Sequence, residues 1–150
     1  MGKGPKIPLN YRIMPKLLAL DYGLKRTGIA VTDDSKIIAS GLTTVDTKDL
    51  FSFLVSYFKA NDVTDIILGE PKRLDRTATD SSEGVAALRK KLTETFGKPI
   101  HMVDERFTSK MAFQTMIDSG LKKKQRKNKA LVDEISATII LQSFMNSRRF

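Results

Sequence analysis

Three acidic positions in this chain stand where one structural element should give way to another. Asp21 ends the apolar run LLALD, Asp104 and Glu105 end IHMVDE, and Asp133 opens an apolar helical stretch. Carboxylate oxygens suit hard divalent cations, and the chain has no cysteine and one histidine, His101, to offer softer ligands. The turn after Asp21 carries Lys25 and Arg26, so DYGLKRTG sets a carboxylate at a strand mouth beside a basic hairpin. That combination suits a site binding a cation and a phosphate together. Each acid has a plainer alternative. Asp21 also fits a turn cap ahead of Gly23, since aspartate readily bonds its own backbone in turns. Strand alternation sends Asp104 and Glu105 to opposite faces, so only one of them reaches Asp21 and the other caps the next helix or pairs with Arg106. Asp133, like Glu134, fits a helix first turn, where the macrodipole favours an acid by ~0.3–1 kcal/mol.

The elements that must position these acids follow from periodicity and turn residues. Three β-rich segments, 17–22, 27–33 and 37–45, are separated by short polar turns and read as an antiparallel meander. Asp46 or Thr47 then caps a helix with Leu50, Phe51, Leu54, Val55 and Phe58 at helical spacing. The apolar run 65–69 reads as a strand covered on both faces. A polar loop leads to a helix over 80–96 with Val85, Leu88 and Leu92 inward, stopped by Gly97 and Pro99. A strand over 100–105 follows, then a helix from Thr108 (Met111, Ala112, Thr115, Met116) closed by Gly120, and a last helix over 130–146. Three leading strands and then β-α alternation predict one mixed sheet with helices on both faces. The ends of the first, fourth and fifth strands should share one edge, where open α/β sheets hold ligands.

Composition narrows the partners. At 150 residues, 41% of them hydrophobic, we expect a single domain over 17–150 rather than general disorder. Residues 1–16 are basic and rich in glycine and proline, and read as a flexible extension. They lack an apolar signal region, Lys6 breaks a myristoylation motif, and Met14 offers an alternative start. No apolar run approaches the ~18 residues of a membrane span. The absence of cysteine is compatible with a reducing cytoplasm. A net charge of +9 makes a polyanion the expected partner, nucleic acid rather than membrane, because no basic amphipathic helix with bulky aromatics is present. The run Lys122, Lys123, Lys124, Arg126, Lys127, Lys129 precedes the helix carrying Asp133 and would stand at the rim of the site. It and Lys25, Arg26 and Arg106 are the candidate phosphate contacts, although such runs are most often solvated loops. His101 reads as a packed residue, and the chain shows no aromatic platform or base-reading element, so recognition of nucleic-acid structure is expected over sequence reading.

The segments DYGLKRTGIA, VDERFTS and VDEISATIILQSF, with the turn LGEP between them, resemble the YqgF/RuvX family over roughly residues 17–146. That family comprises ribonuclease H-like proteins assigned to pre-16S rRNA processing and related to Holliday-junction resolvases. The resemblance implies a ribonuclease H-like α/β fold with a five-stranded mixed sheet. It also implies a metal-dependent nuclease maturing the 5′ end of pre-16S rRNA in the cytoplasm, in contact with ribosomal precursor particles, as a monomer or weak homodimer. Asp21, Glu105 and Asp133 would be its catalytic and metal-binding triad. The chemistry agrees: phosphodiester hydrolysis needs an activated water and a neutralised leaving oxygen, and two Mg²⁺ or Mn²⁺ ions about 4 Å apart supply both without a histidine base. The chain departs from the family in its central loop, with Glu70 before Pro71 and Arg76 after Asp75. Resolvases of the wider superfamily carry an active-site acid after the fourth strand, so the resemblance makes Glu70 an outside candidate beside Asp104, with Glu105 preferred. The alternatives are a DNA junction resolvase using the same site and a noncatalytic RNA- or ribosome-binding module. The hairpin also resembles the phosphate loop of actin-like ATPases, which need a second domain of similar size that this length does not supply.

Overall fold

The computed structural model describes residues 16–32, 39–70, 82–104 and 128–148. Within them the chain forms β1 (Lys16–Tyr22), β2 (Arg26–Thr32), β3 (Ala39–Asp46), a 3₁₀ turn (Thr47–Asp49), α1 (Leu50–Ala60), β4 (Val63–Glu70), α2 (Ser82–Phe96), β5 (Ile100–Asp104) and α3 (Lys129–Arg148). The strands make one sheet in the order β3-β2-β1-β4-β5. β1 pairs antiparallel with β2, and β2 with β3, while β4 runs parallel to both β1 and β5. This is the mixed sheet that the meander and the later β-α alternation predict. The helix expected from Thr108 lies outside the described residues, as does the extension before Lys16.

Side-chain alternation divides the sheet into two cores. Leu18, Leu20, Ile29, Val31, Ile66 and Leu68 turn toward α1 and α2, where Leu50, Leu54, Val85, Leu88 and Leu92 close over them. Leu17, Ala19, Ala30 and Ile67 turn the other way, toward Ala137, Ile140, Leu141 and Phe144 of α3. β1 and β4 are buried on both faces, which is why their sequences run apolar without alternation. The small residues Ala19, Ala30 and Ala137 let α3 lie close to the sheet. Each large buried side chain, such as Ile140 or Leu141, contributes roughly 1.5–3 kcal/mol by leaving water.

Local chemistry sets the element ends. Gly97 takes φ +64°, the left-handed value glycine adopts without strain, and its N–H donates to the Thr93 carbonyl at 3.0 Å to close α2. The start of α1 departs from expectation. Neither Asp46 nor Asp49 makes a side-chain capping bond, and a 3₁₀ turn intervenes before Leu50. Thr47 is drawn elsewhere: its hydroxyl donates to the Gly23 carbonyl at 2.6 Å, and its N–H to the Lys25 carbonyl at 2.9 Å. Thr27 and Thr47 hydroxyls also meet at 2.9 Å. The turn between β1 and β2 is thus braced by a residue from the third strand's exit.

Candidate metal and nucleic-acid site

Asp21 is the penultimate residue of β1 and faces Gly28 across the antiparallel ladder. Alternation from Leu17 and Ala19 places it on the α3 side of the sheet. Gly28 is where α3 comes down on that side. A Cβ built on Gly28 would overlap the Asp133 carbonyl group, so only a hydrogen leaves room for the helix backbone. Gly41 on β3 makes a second gap, filled by the Glu134 side chain, whose Oε1 would lie 2.6 Å from an added Cβ. The two gaps seat the beginning of α3 against the strands and bring Asp133 to Asp21.

The helix begins earlier than its acid. Asn128 accepts from the Leu131 N–H through Oδ1 at 3.2 Å and from the Val132 N–H through its carbonyl at 3.0 Å, so it caps α3. Asp133 is therefore in the second turn, and the first turn holds no acid. This corrects the expected first-turn position and weakens the helix-dipole account of Asp133, because that interaction fades beyond the first turn.

The electrostatics of the pair are unfavourable in isolation. Burial, and then the charge of Asp133, raise the Asp21 carboxyl from 3.8 to about 7. Burial raises Asp133 too, opposed by the hydrogen bond and charge of Arg26 and by Lys129. Arg26 donates through Nε to Asp133 Oδ2 at 3.1 Å. Asp21 has no such help: among the described residues its carboxylate accepts no hydrogen bond and forms no ion pair. A largely buried acid without a donor, beside a second acid, fits a bound cation, which would satisfy both groups at once.

The other predicted residues divide by location. Lys25 is exposed at the hairpin tip beside Leu24, which is 66% exposed. Arg26, expected as a phosphate contact, pairs through Nε with Asp133. Glu70 follows Leu68 on the α1/α2 side of β4, and Asp104 follows Met102 on the same side of β5. Alternation thus takes both away from Asp21. Glu105, Arg106, Lys122, Lys123, Lys124, Arg126 and Lys127 lie outside the described residues. Among the described residues no group of three or more potential ligands converges. His101 is packed, as expected, with Nε2 2.7 Å from Asp65 Oδ2 and its ring against Phe144. The reading from sequence missed the Arg26–Asp133 pair and the glycine gaps. The one signal for them was a glycine directly opposite Asp21.

The RuvX family, described as Holliday junction resolvase, matches residues 15–147. The chain belongs to the RuvX family. A relative from Christiangramia forsetii, named "Putative pre-16S rRNA nuclease", is 58% identical over 133 residues, covering 88% of this chain and 98% of its own. One from Flavobacterium johnsoniae with the same name is 53% identical, covering 91% and 100%. The Holliday junction resolvase of fowlpox virus shares the fold, with a TM-score of 0.55 at 13% identity over 89% of this RuvX-family chain and 99% of the viral one. Its complex with junction DNA superposes at a TM-score of 0.58 over 90% and 99%. The sheet is therefore ribonuclease H-like, as in those resolvases. No helix among the described residues is long and apolar enough to cross a membrane.

Proposed function

We propose that this chain is a metal-dependent nuclease of structured RNA, acting in the cytoplasm on the 5′ end of pre-16S rRNA, free or within ribosomal precursor particles. The observation that carries the reading is the pair of adjacent acids, Asp21 and Asp133, of which the more buried has no donor among the described residues. The names of its relatives supply the substrate, and the net charge of +9 agrees with a polyanion.

Asp21, Asp133 and Glu105 would hold Mg²⁺ or Mn²⁺ in a two-metal arrangement. Glu105 is preferred over Asp104 and Glu70 because the family resemblance carries its acid there, and because alternation along β5 and β4 turns the two alternatives to the α1/α2 side. The cations would supply an activated water and charge neutralisation at the leaving oxygen. The protein's own residues bind and orient the substrate. The braced hairpin presents Lys25 to backbone phosphate, and Arg106 with Lys122, Lys123, Lys124, Arg126 and Lys127 would extend that contact along the rim. Seating α3 on Gly28 fixes Asp133 relative to Asp21.

The family description favours a second reading, cleavage of four-way DNA junctions. A resolvase cuts two strands symmetrically and so calls for a dimer, whereas rRNA trimming needs only the monomer or a weak homodimer. Purified protein with Mn²⁺ is assayed on 5′-extended 16S rRNA fragments and on four-way DNA junctions, with Asp21→Asn in parallel. Expected is RNA cleavage reduced about 10²–10³-fold by the substitution, on the scale of losing a group that stabilises transition-state charge. Paired cuts in the junction and none in the RNA would transfer the site to the resolvase reading. Full activity in Asp21→Asn would remove the site assignment.

A further inference from the structure

Among the described residues Arg26 is the cation hydrogen-bonded to the acid pair, and the charge of Lys129 also acts on Asp133. The Arg26 contact with Asp133 uses Nε alone, and among the described residues the two Nη groups donate to nothing. A guanidinium held this way still presents its end-on fork, the geometry that matches two phosphate oxygens. The pair is also weakly sequestered, with the Arg26 side chain 34% exposed and that of Asp133 26% exposed. Ion pairs this accessible contribute little and exchange partners readily. At the same time, a guanidinium on Oδ2 places positive charge where Asp133 would meet a divalent cation.

We propose that Arg26 is a displaceable counter-cation: it neutralises Asp133 and can move its fork to a substrate phosphate, so that the acid pair takes up its divalent cation together with nucleic acid. This rests on the metal-site reading above and adds regulation to it. The reasoning is one of linkage. Whatever draws Arg26 away from Asp133 raises the affinity of the acids for a cation, and a bound cation releases Arg26 toward phosphate by the same factor. The hairpin favours such exchange. Thr47 fixes the backbone on either side of Leu24 through the Gly23 and Lys25 carbonyls, so only the long arginine side chain has to move.

A residue that merely orients Asp133 would behave in the opposite way, since loss of a hydrogen bond to a ligating carboxylate weakens metal binding. The test is a Mn²⁺ titration without nucleic acid, following the electron paramagnetic resonance of the free ion. It uses the wild type, Arg26→Gln, Arg26→Met, Arg26→Lys and Asp21→Asn. Both neutral substitutions should lower the Mn²⁺ dissociation constant about fivefold, as removal of one accessible ion pair allows, while Arg26→Lys stays within about twofold of wild type. In cleavage assays the neutral variants should raise KM for the rRNA fragment. Neutral variants that bind Mn²⁺ no better than wild type, or more weakly, overturn the exchange and leave the metal site standing. Wild-type protein that binds no Mn²⁺, or binds it equally well as Asp21→Asn, overturns the metal-site reading and the exchange with it.

Discussion

Asp21 shows at the scale of one residue what burying a carboxyl beside a second acid costs. Its carboxyl titrates near 3.8 when unfolded and is raised to about 7 in the fold, by burial first and by Asp133 second. Between those values the native state binds more protons than the unfolded state. Stability associated with Asp21 is therefore fully present below about 3.8 and is lost as pH rises through about 7. Asparagine has the same shape and no charge, so Asp21→Asn should escape the loss. In EDTA, its melting temperature should rise relative to wild type between pH 5 and pH 8, by an amount equivalent to roughly 1–3 kcal/mol at the upper end. Adding Mn²⁺ at pH 8 should raise the wild-type melting temperature and leave that of the variant unchanged. Parallel melting curves across the pH range would show that Asp21 is not held in an unfavourable charged state. Sequence could name this residue but not decide its role, since a turn cap and a buried ligand look alike until the facing helix is in place.

At the scale of elements, the position of α3 rests on two glycines whose gaps differ in kind. An added Cβ on Gly28 meets backbone, the carbonyl of Asp133, whereas on Gly41 it meets the Glu134 side chain. A backbone clash moves a helix and a side-chain clash moves a rotamer. Gly28→Ala should therefore destabilise the protein by about 1–3 kcal/mol and also weaken Mn²⁺ binding by shifting Asp133. Gly41→Ala should cost well under that in urea denaturation and leave Mn²⁺ binding intact. Equal effects at the two positions would contradict the seating of α3 on β2. The elements themselves were largely legible: five strands, the stop at Gly97 and the two-sided burial of β4 follow from apolar runs and turn residues. The cap of α1 was not. Asp46 and Thr47 looked like helix starters by type, but Thr47 turns to the β1–β2 turn, a partner more than twenty residues away that no local rule can see. The start of α3 was likewise displaced, because Asn128 took the cap and moved Asp133 inward by a turn.

For the whole molecule the governing quantity is charge. Twenty-six lysines and arginines against seventeen acids leave +9, and the two site acids subtract from the positive field where a phosphate must approach. The pattern of acids at strand and helix ends was readable because each falls at a change of periodicity. Which of them meet was not, since it depends on which face each strand offers, and that parity sets Glu70 and Asp104 apart from Asp21. The two basic residues of the hairpin differ in position, with Arg26 on the acid pair and Lys25 at the exposed tip. Binding of structured RNA should therefore be driven by counterion release, with log affinity falling linearly in log salt. Lys25→Ala should lower affinity to a similar extent for RNA of different sequences and reduce the slope by about 1, as expected for one lost phosphate contact. It should leave Mn²⁺ binding unchanged, because Lys25 is remote in role from Asp133. Filter binding of an rRNA hairpin in EDTA across a salt series measures the slope. A Lys25→Ala slope equal to wild type would take the hairpin tip out of the phosphate path and shift the contact to the basic residues before α3.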